Sequence, residues 1–261
     1  MPSGTETAGS TPSLRTLQVL ETLVNSVEPI TLTELARRCE IPLATCSAIA
    51  AALEARGYAQ RTVVGRSHLW RPTLRLYGLG MVTLRRLELG NESGPILNEL
   101  RDAVDLPAHL GVLDGASIIY VAKAATSSMV QFNTYPGRVS AFNVTALGKA
   151  IAAFRPEPQR EELITQAAPG RGPNAGQASK ARLRDVFTEI RDQGFAVEDQ
   201  EEEAGIACVA APVLGGDGYA VAAIGVTGFE RQVLGDNRAH IIHSVVHAAT
   251  SLARRMGLRS T

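Results

Sequence analysis

The chain has 261 residues, of which 45% are hydrophobic and 20% charged, and its 26 Lys and Arg residues balance its 26 Asp and Glu residues. This composition excludes a chain that is disordered throughout, and the length favours two domains. No leader segment opens the chain, and no apolar run approaches the ~18 residues that a membrane-spanning helix requires. Three cysteines without metal-ligand spacing favour free thiols: Cys39, Cys46 and Cys208. We therefore expect a cytoplasmic protein with a disordered tail at residues 1–12 and a short polar tail at 258–261.

Residues 13–72 are predicted to form the first domain, and it begins with a helix over residues 13–26. Apolar residues recur there at three- and four-residue steps, which is the spacing of one helix face. The predicted buried stripe contains Leu14, Leu17, Leu20, Leu23, Val24 and Val27. Such a stripe indicates a helix that packs on a domain core.

A helix-turn-helix and a hairpin are predicted next. The second helix begins at Thr31, three residues before Glu34, which is the spacing of a capping box. A break at residues 40–42 separates it from a third helix that ends at Gly57. Two helices joined by so tight a turn form a helix-turn-helix. Residues 58–71 alternate around a central glycine and predict a β-hairpin, which completes a winged helix.

The third helix contains no Lys, Arg, His, Asn or Gln between Pro42 and Leu53. Its apolar spacing turns one set of residues inward, namely Cys46, Ile49, Ala50 and Leu53. The outward set, with Thr45 at its margin, is Ala44, Ser47, Ala48, Ala51 and Ala55. Residues 55–87, in contrast, contain seven arginines and no acidic residue. So basic a segment is the electrostatic footprint that phosphate binding requires.

A linker helix and a second domain follow. Residues 73–92 keep apolar residues at helical spacing and predict a linker helix that stops at Gly90. Residues 93–257 predict an α/β domain with hairpin turns at residues 114–115 and 215–218. Its helices are expected at residues 96–104, 146–154, 179–193 and 237–256. Residues 155–177, with four prolines and three glycines, are expected to be mostly loop.

Eight successive segments resemble the signatures of one protein family. They are SLRTLQVLETL, TLTELARRCEIP, LEARGYAQR and GRSHLWRPTLRLYGLG in the first half of the chain, and VLDGASIIYVAK, TALGKAIAAF, GFAVEDQEEEAGIACVAAPV and VAAIGVTGF in the second domain. Together they are similar to the IclR (isocitrate lyase regulator) family of bacterial transcription factors. The resemblance implies an α+β fold with an N-terminal winged helix-turn-helix, a linker helix and a C-terminal GAF/PAS-like α/β effector-binding domain. It also implies a homodimer or a dimer of dimers that binds double-stranded operator DNA and a small organic effector, as a repressor or as an activator.

The third helix departs from the family pattern. Family members usually carry a Lys or Arg after the proline and a His-Arg pair where this chain has Ser47 and Ala48. Three explanations are open. In the first, the alanine face fits the DNA groove while the predicted β-hairpin, the wing, contacts phosphates. In the second, the domain has lost base recognition and become an interaction module; in the third, the alanines simply stabilise a helix. Under the first explanation the expected DNA contacts are Arg15, Arg37, Arg38, Ala44, Thr45, Ser47, Ala48, Arg61, Arg66, His68 and Arg71.

The resemblance also implies an effector site in the second domain. The matching residues are Ala146, Leu147, Glu198, Asp199, Cys208, Gly225 and Thr227. Family members that bind small acids carry a Gly-Ala pair at positions 146 and 147 and a serine at position 225. Because Leu147 is bulkier and Gly225 has no side-chain donor, we expect an effector more apolar than a two- or three-carbon acid. A carboxylate with an aromatic or alicyclic part fits this expectation.

The remaining chemical signals are weak. His240, His243 and His247 share one helix face, but they have no Cys or carboxylate at ligand spacing, so no metal is expected. The segment TALGK lacks the first glycine of a phosphate-binding loop, and residues 201–203 are expected to be a solvated turn. Cys208 lies in an apolar run that favours a pocket wall over a nucleophile. No enzymatic activity and no cofactor are expected, and the alternative function is a small-molecule-binding module that has lost specific DNA recognition.

Overall fold

The computed structural model describes residues 11–65, 67–86 and 89–258. The chain divides into two compact units, the first up to Thr83 and the second from Leu84. The elements of the first unit are, in chain order, α1 (Pro12–Val24), β1 (Ile30–Thr31), α2 (Leu32–Arg38), α3 (Leu43–Ala55), β2 (Ala59–Val64) and β3 (Ser67–Pro72). The strands pair antiparallel in the order β1-β3-β2. This arrangement confirms the predicted winged helix-turn-helix.

The core of the first unit confirms the inward face of α3 and corrects that of α1. Cys46, Ala50 and Leu53 are buried, as predicted, and Ile49 packs against them. The stripe predicted for α1 is wrong in part, because the helix meets the core along a narrow face centred on Val19 and Leu23. Four apolar residues of the predicted stripe are exposed instead, namely Leu14, Leu17, Val24 and Val27.

Local hydrogen bonds and backbone geometry fix the helix-turn-helix. The Thr31 hydroxyl accepts the backbone N–H of Glu34 at 3.3 Å and so caps α2. The Glu34 carboxylate, which a capping box would direct back toward Thr31, instead accepts hydrogen bonds from the two arginines that follow it. Glu40 in the turn has a left-handed φ of 54°, and Gly57 after α3 has a φ of 74°, a conformation that glycine adopts without strain.

Two further helices follow the wing, α4 (Arg75–Arg86) and α5 (Leu89–Val104). The predicted stop at Gly90 is wrong, because this residue lies inside α5, as Pro95 does. Buried apolar side chains on both sides of the proline attach α5 to the second unit: Leu89, Ile96, Leu97 and Leu100. The packing of this face outweighs the backbone hydrogen bond that is lost at the proline.

An antiparallel sheet of six strands is the centre of the second unit, in the order β6-β5-β4-β9-β8-β7. The strands are β4 (Ala108–Asp114), β5 (Ser117–Ala124), β6 (Val139–Ala141), β7 (Ala196–Asp199), β8 (Ile206–Leu214) and β9 (Ala220–Phe229). The helices are α6 (Ala146–Ala153), α7 (Glu157–Thr165), α8 (Leu183–Gln193), α9 (Glu230–Leu234) and α10 (Arg238–Arg255). One apolar core lies between the sheet and α5 with α10, and a second lies between the opposite face and α6 with α8.

This architecture confirms the predicted α+β fold and both predicted hairpins, β4-β5 and β8-β9. The prediction that residues 155–177 are mostly loop is wrong in part, because α7 forms there after Pro156 and buries Leu163 and Ile164. The three cysteines are free, as predicted. In the described part of the chain no helix is long and apolar enough to cross a membrane.

Candidate DNA-binding surface and effector pocket

The exposed face of α3 consists of small side chains. Ala44, Ser47, Ala48 and Ala51 are exposed, and Thr45 is half-buried. Alanine methyl groups can contact thymine methyl groups, and the two hydroxyls can hydrogen bond to bases or phosphates. Because these side chains are short, the backbone of α3 can approach the floor of a DNA groove closely.

Basic side chains also lie on α1 and α2, and on α2 part of their charge is compensated. Arg37 and Arg38 both bind the Glu34 carboxylate, with Nη2 and Nε at 2.6 Å and 2.8 Å from Oε1. Hydrogen bonds from these two arginines lower the pKa of Glu34 to about 2, and the bond from Arg37 makes the larger contribution. Arg15 on α1 is half-buried, and its Nε has no hydrogen-bond partner. Two arginines that share one carboxylate leave a single net positive charge at this end of α2.

The wing carries exposed cations on both of its strands. Arg61 lies on β2, with its guanidinium 5.8 Å from the centre of the Trp70 ring and its Nε 4.0 Å from the Glu54 carboxylate. Arg71 on β3 lies directly opposite Gln60, and His68 is also exposed. Arg66, the predicted contact at the tip, lies outside the described residues.

Two cavities lie on the α6 face of the second sheet. The outer cavity has a volume of about 270 Å³, and its lining includes Phe132, Arg138, Glu198, Glu202 and Phe229. The inner cavity has a volume of about 10 Å³, and its lining includes His109, Ala146, Leu147 and Gly225. Tyr120, Cys208 and Thr227 border both cavities. The inner cavity is at the lower limit of the space that one water molecule needs.

The fold brings most of the predicted effector residues to these cavities. Five line the inner cavity, namely Ala146, Leu147, Cys208, Gly225 and Thr227, and Glu198 lines the outer one. Glu198, Cys208 and Thr227 face one another across β7, β8 and β9. The Cys208 sulfur lies 3.3 Å from the Thr227 hydroxyl. Asp199 lies elsewhere, because successive strand residues face opposite sides of a sheet, and its carboxylate binds the side-chain amides of Asn174 and Gln200.

The acidic turn after β7 is buried, so the prediction of a solvated turn is wrong for Glu201. Glu201 is 3% exposed, and its Oε1 lies 2.6 Å from the Nζ of the equally buried Lys149. Glu198 accepts the backbone N–H groups of Glu201 and Glu202 at 2.7 Å and 3.3 Å. Burial outweighs these two hydrogen bonds and raises the pKa of Glu198 to about 7. Glu202 in turn binds Arg138 at 3.0 Å.

The segment TALGK joins the start of α6 to this turn. The Thr145 hydroxyl accepts the Gly148 N–H at 3.1 Å and caps the helix. Gly148 packs against Phe142 so closely that a Cβ would collide with the Phe142 carbonyl oxygen. Leu147 points its side chain toward the inner cavity and toward Gly111 of β4. The glycine and the lysine of this segment thus have structural roles, in close packing and in the ion pair with Glu201.

Two family models match the chain. The IclR helix-turn-helix domain matches residues 14–62, and the C-terminal domain of the bacterial transcriptional regulator IclR matches residues 81–254. The chain belongs to the IclR family. Members of this family combine a DNA-binding helix-turn-helix with a C-terminal effector-binding domain, and the chain is accordingly a ligand-responsive transcriptional regulator.

Named IclR-family relatives are similar over nearly the whole chain. The HTH-type transcriptional regulator BhcR of Paracoccus denitrificans is 26% identical over 98% of this chain and 91% of its own length. KdgR of Escherichia coli is 26% identical over 94% of this chain and 92% of its own length. The crystal structure of the Thermotoga maritima IclR has the same fold, with a TM-score of 0.75 at 23% identity, over 93% of this chain and 97% of that one.

An IclR homologue from Microbacterium hydrocarbonoxydans, solved in complex with 4-hydroxybenzoate, also has this fold. Its TM-score is 0.80 at 18% identity, and the match covers 95% of this chain and 100% of that one. The likeness shows that the two chains share a fold.

Several side chains of this IclR-family pocket were missed from the sequence, among them His109, Tyr120 and Arg138. His109 is 1% exposed on β4, where burial, and then the nearby Lys123 and Arg138, lower its pKa to about 3. Burial raises the pKa of the Tyr120 hydroxyl above its ordinary value. A single histidine inside an apolar strand was the available signal for His109. Across the described residues no group of three or more His, Cys, Asp or Glu side chains could hold a metal ion.

Proposed function

We propose that the regulator binds operator DNA with α3 in the major groove and with the wing on the phosphates. This proposal rests on the outward face of α3, where the hydroxyl groups of Thr45 and Ser47 stand among alanine methyl groups and can contact bases. With few donors to the bases, affinity depends on phosphate contacts, and specificity depends on methyl contacts and DNA shape. Because its target is chromosomal DNA, the protein acts in the cytoplasm, as a binding protein and not as an enzyme.

The basic side chains contribute unequally in this proposal. Arg61 and Arg71 contribute most, because both are exposed on the wing, whereas Arg37 and Arg38 share the Glu34 carboxylate. The proposed base contacts are Ala44, Thr45, Ser47 and Ala48. The proposed phosphate contacts are Arg15, Arg37, Arg38, Arg61, Arg66, His68 and Arg71.

We also propose that the protein acts as a homodimer or a dimer of dimers. Exposed apolar side chains on α1 and on the segment around α4 support self-association: Leu14, Leu17, Val24, Leu74, Tyr77, Leu79 and Val82. Clusters of exposed large apolar side chains are typical of protein interfaces. Two-fold symmetry would pair two α3 helices with the half-sites of a palindromic operator.

A fluorescence titration with DNA from the protein's own promoter, repeated over a range of salt concentrations, tests the DNA-binding proposal. Arg71→Ala should weaken binding to all sequences and lower the slope of log affinity against log salt by about 1 per lost phosphate contact. Arg231→Ala, which removes an exposed arginine of α9 in the second unit, is the matched control. Equal affinity and equal slope for Arg71→Ala and the wild type would refute the wing contact. No DNA affinity at any salt concentration would favour the interaction-module alternative.

We propose that the effector is a small organic carboxylate with an aromatic or alicyclic part, bound in the outer and inner cavities. The observation behind this choice is the apolar lining, where the Phe132 and Phe229 rings stand edge to face at 5.4 Å beside Tyr120. The volume of about 270 Å³ is below the range for drug-sized ligands, so a ligand with one ring is the appropriate size.

Thermal unfolding with a panel of acids tests the effector class, because a ligand that binds the folded state raises the unfolding temperature. Benzoate, cyclohexanecarboxylate and 4-hydroxybenzoate, the ligand of the Microbacterium homologue, should stabilise the protein. Stabilisation by two- to four-carbon acids alone would contradict the proposal.

A further inference from the structure

His109 occupies a central place on the pocket face of the sheet. It lies on β4 between two cross-strand neighbours, Lys123 on β5 and Gly225 on β9. Directly opposite residues of paired strands point to the same face, so these three positions form one row. Gly225 contributes no side chain to that row, and Ala210, its neighbour on β8, contributes a methyl group. Where this row borders the inner cavity, its polar group is therefore the imidazole of His109.

The imidazole has an unused hydrogen-bonding atom. His109 is 1% exposed, and its Nε2 lies 3.5 Å from the Thr134 hydroxyl. Its Nδ1 is buried and has no hydrogen-bond partner. Buried polar atoms in folded proteins almost always have a partner, so an orphaned ring nitrogen in a cavity wall points to a ligand group. The Tyr120 ring, edge to face with the imidazole at 5.6 Å, closes one side of the site.

The charges around the two cavities are unevenly distributed. Lys123 lies next to His109 in the sheet, and its Nζ binds the carbonyl oxygens of Phe132 and Thr134 at 3.4 Å and 2.8 Å. Three carboxylates line the outer cavity, those of Glu198, Glu202 and Glu203, together with the guanidinium of Arg138, which is paired with Glu202 at 3.0 Å. An elongated ligand with an acceptor at one end and a donor at the other would satisfy both ends of this arrangement.

We propose that His109 is the residue that binds the carboxylate of the effector, and that the effector carries a hydroxyl at its opposite end. In this arrangement the Thr134 hydroxyl donates to Nε2, and the Nδ1–H of His109 donates to the ligand carboxylate. The apolar body of the ligand lies along Tyr120 and Phe132, and its hydroxyl donates to Glu198. The ligand class is thus a hydroxylated aromatic or alicyclic acid. This inference rests on the proposed effector-binding role of the same two cavities.

Occupation of the inner cavity also requires a movement. Its volume of about 10 Å³ is too small for a carboxylate while the Leu147 side chain lies in its wall. In the proposed complex the Leu147 side chain moves out of this wall to make room for the carboxylate. Effector binding would then change the packing of a residue at the start of α6.

Calorimetric titration of the full chain with a matched pair of ligands, 4-hydroxybenzoate and 4-hydroxybenzyl alcohol, tests the assignment. The wild type should bind the acid roughly tenfold or more tightly than the alcohol, because a hydrogen bond to a charged group contributes at least that factor. His109→Leu should remove this preference, and His109→Asn, which retains a donor near the position of Nδ1, should keep part of it. His243→Leu, at an exposed histidine of α10, should leave the preference unchanged.

Each outcome has a distinct meaning. His109→Leu removes an orphaned polar atom from a buried site, so we expect it to unfold at a temperature at least as high as the wild type, which separates lost binding from lost folding. If the acid binds the wild type and His109→Leu with the same preference over the alcohol, the assignment of His109 is overturned and the effector proposal stands. If neither these ligands nor the carboxylate panel binds the wild type, the proposed effector class and the assignment are both overturned.

Discussion

Replacement of Glu198 by Gln should change how the stability of the protein depends on pH. Glu198 is 2% exposed, and its Oε1 accepts two backbone N–H groups of the acidic turn. A glutamine can keep these hydrogen bonds through its amide oxygen, but it carries no charge at any pH. The variant therefore isolates the free energy of placing a charge at this position.

The magnitude follows from the pKa difference between the folded and unfolded states. Burial raises the pKa of Glu198 from 4.5 in the unfolded chain to about 7 in the folded protein. Between these values the folded state holds the proton and the unfolded state does not, so the stability of the wild type falls as the pH rises through this window. The decrease from about pH 5 to about pH 8 is about 2–3 kcal/mol for this one group.

Urea unfolding of the wild type and Glu198→Gln at both pH values, followed by circular dichroism, measures this difference. The unfolding free energy of the variant minus that of the wild type should be about 2–3 kcal/mol larger at about pH 8 than at about pH 5. The opposing titration of His109, whose lowered pKa makes stability rise with pH below about 6.5, is common to both proteins and cancels. Glu203→Gln is the control, because it makes the same chemical change at an exposed position of the same turn. A relative stability that does not change with pH would refute the reasoning.

Three further substitutions test the structural roles assigned above. Lys149→Met leaves the buried Glu201 carboxylate without its partner and should lower the unfolding free energy by about 3–5 kcal/mol, and adding Glu201→Gln should recover most of the loss. Gly148→Ala places a Cβ against the Phe142 carbonyl oxygen and should cost about 3 kcal/mol or more by urea unfolding, whereas Gly176→Ala, at an open position, should cost little. Thr31→Ala removes the cap of α2 and should cost about 1 kcal/mol, measured by the fluorescence of Trp70, the single tryptophan, while Thr31→Ser should retain the cap.

The first unit was largely predictable because its signals are local. The inward residues of α3 follow from a 3.6-residue period, and Gly57 and the wing turn have recognisable backbone requirements. The stripe of α1 was overestimated for a physical reason. An apolar side chain on a helix can face the core or a surface patch, and spacing alone does not distinguish these two environments.

The pocket was less predictable because its key contacts join distant parts of the chain. Glu201 lies 52 positions from Lys149, its ion-pair partner, and nothing in the sequence around residue 201 indicates burial. His109 and Thr134 are 25 positions apart. Lys123 lies beside His109 only because β4 pairs with β5. The family resemblance supplied most of the pocket residues, whereas His109 became apparent only from its burial and its unpartnered nitrogen.

The order of residues at the start of α6 limits how this regulator could acquire a new effector. Leu147 borders the inner cavity, Gly148 fits against Phe142, and Lys149 binds the acidic turn. An insertion or deletion directly before Leu147 would rotate each following side chain by about 100° and displace all three contacts at once. Substitution of Leu147, in contrast, changes the cavity and leaves the two neighbouring contacts in place. A point mutation at Leu147 would therefore change the cavity while the contacts of Gly148 and Lys149 stay in place, whereas a change of segment length would disrupt them.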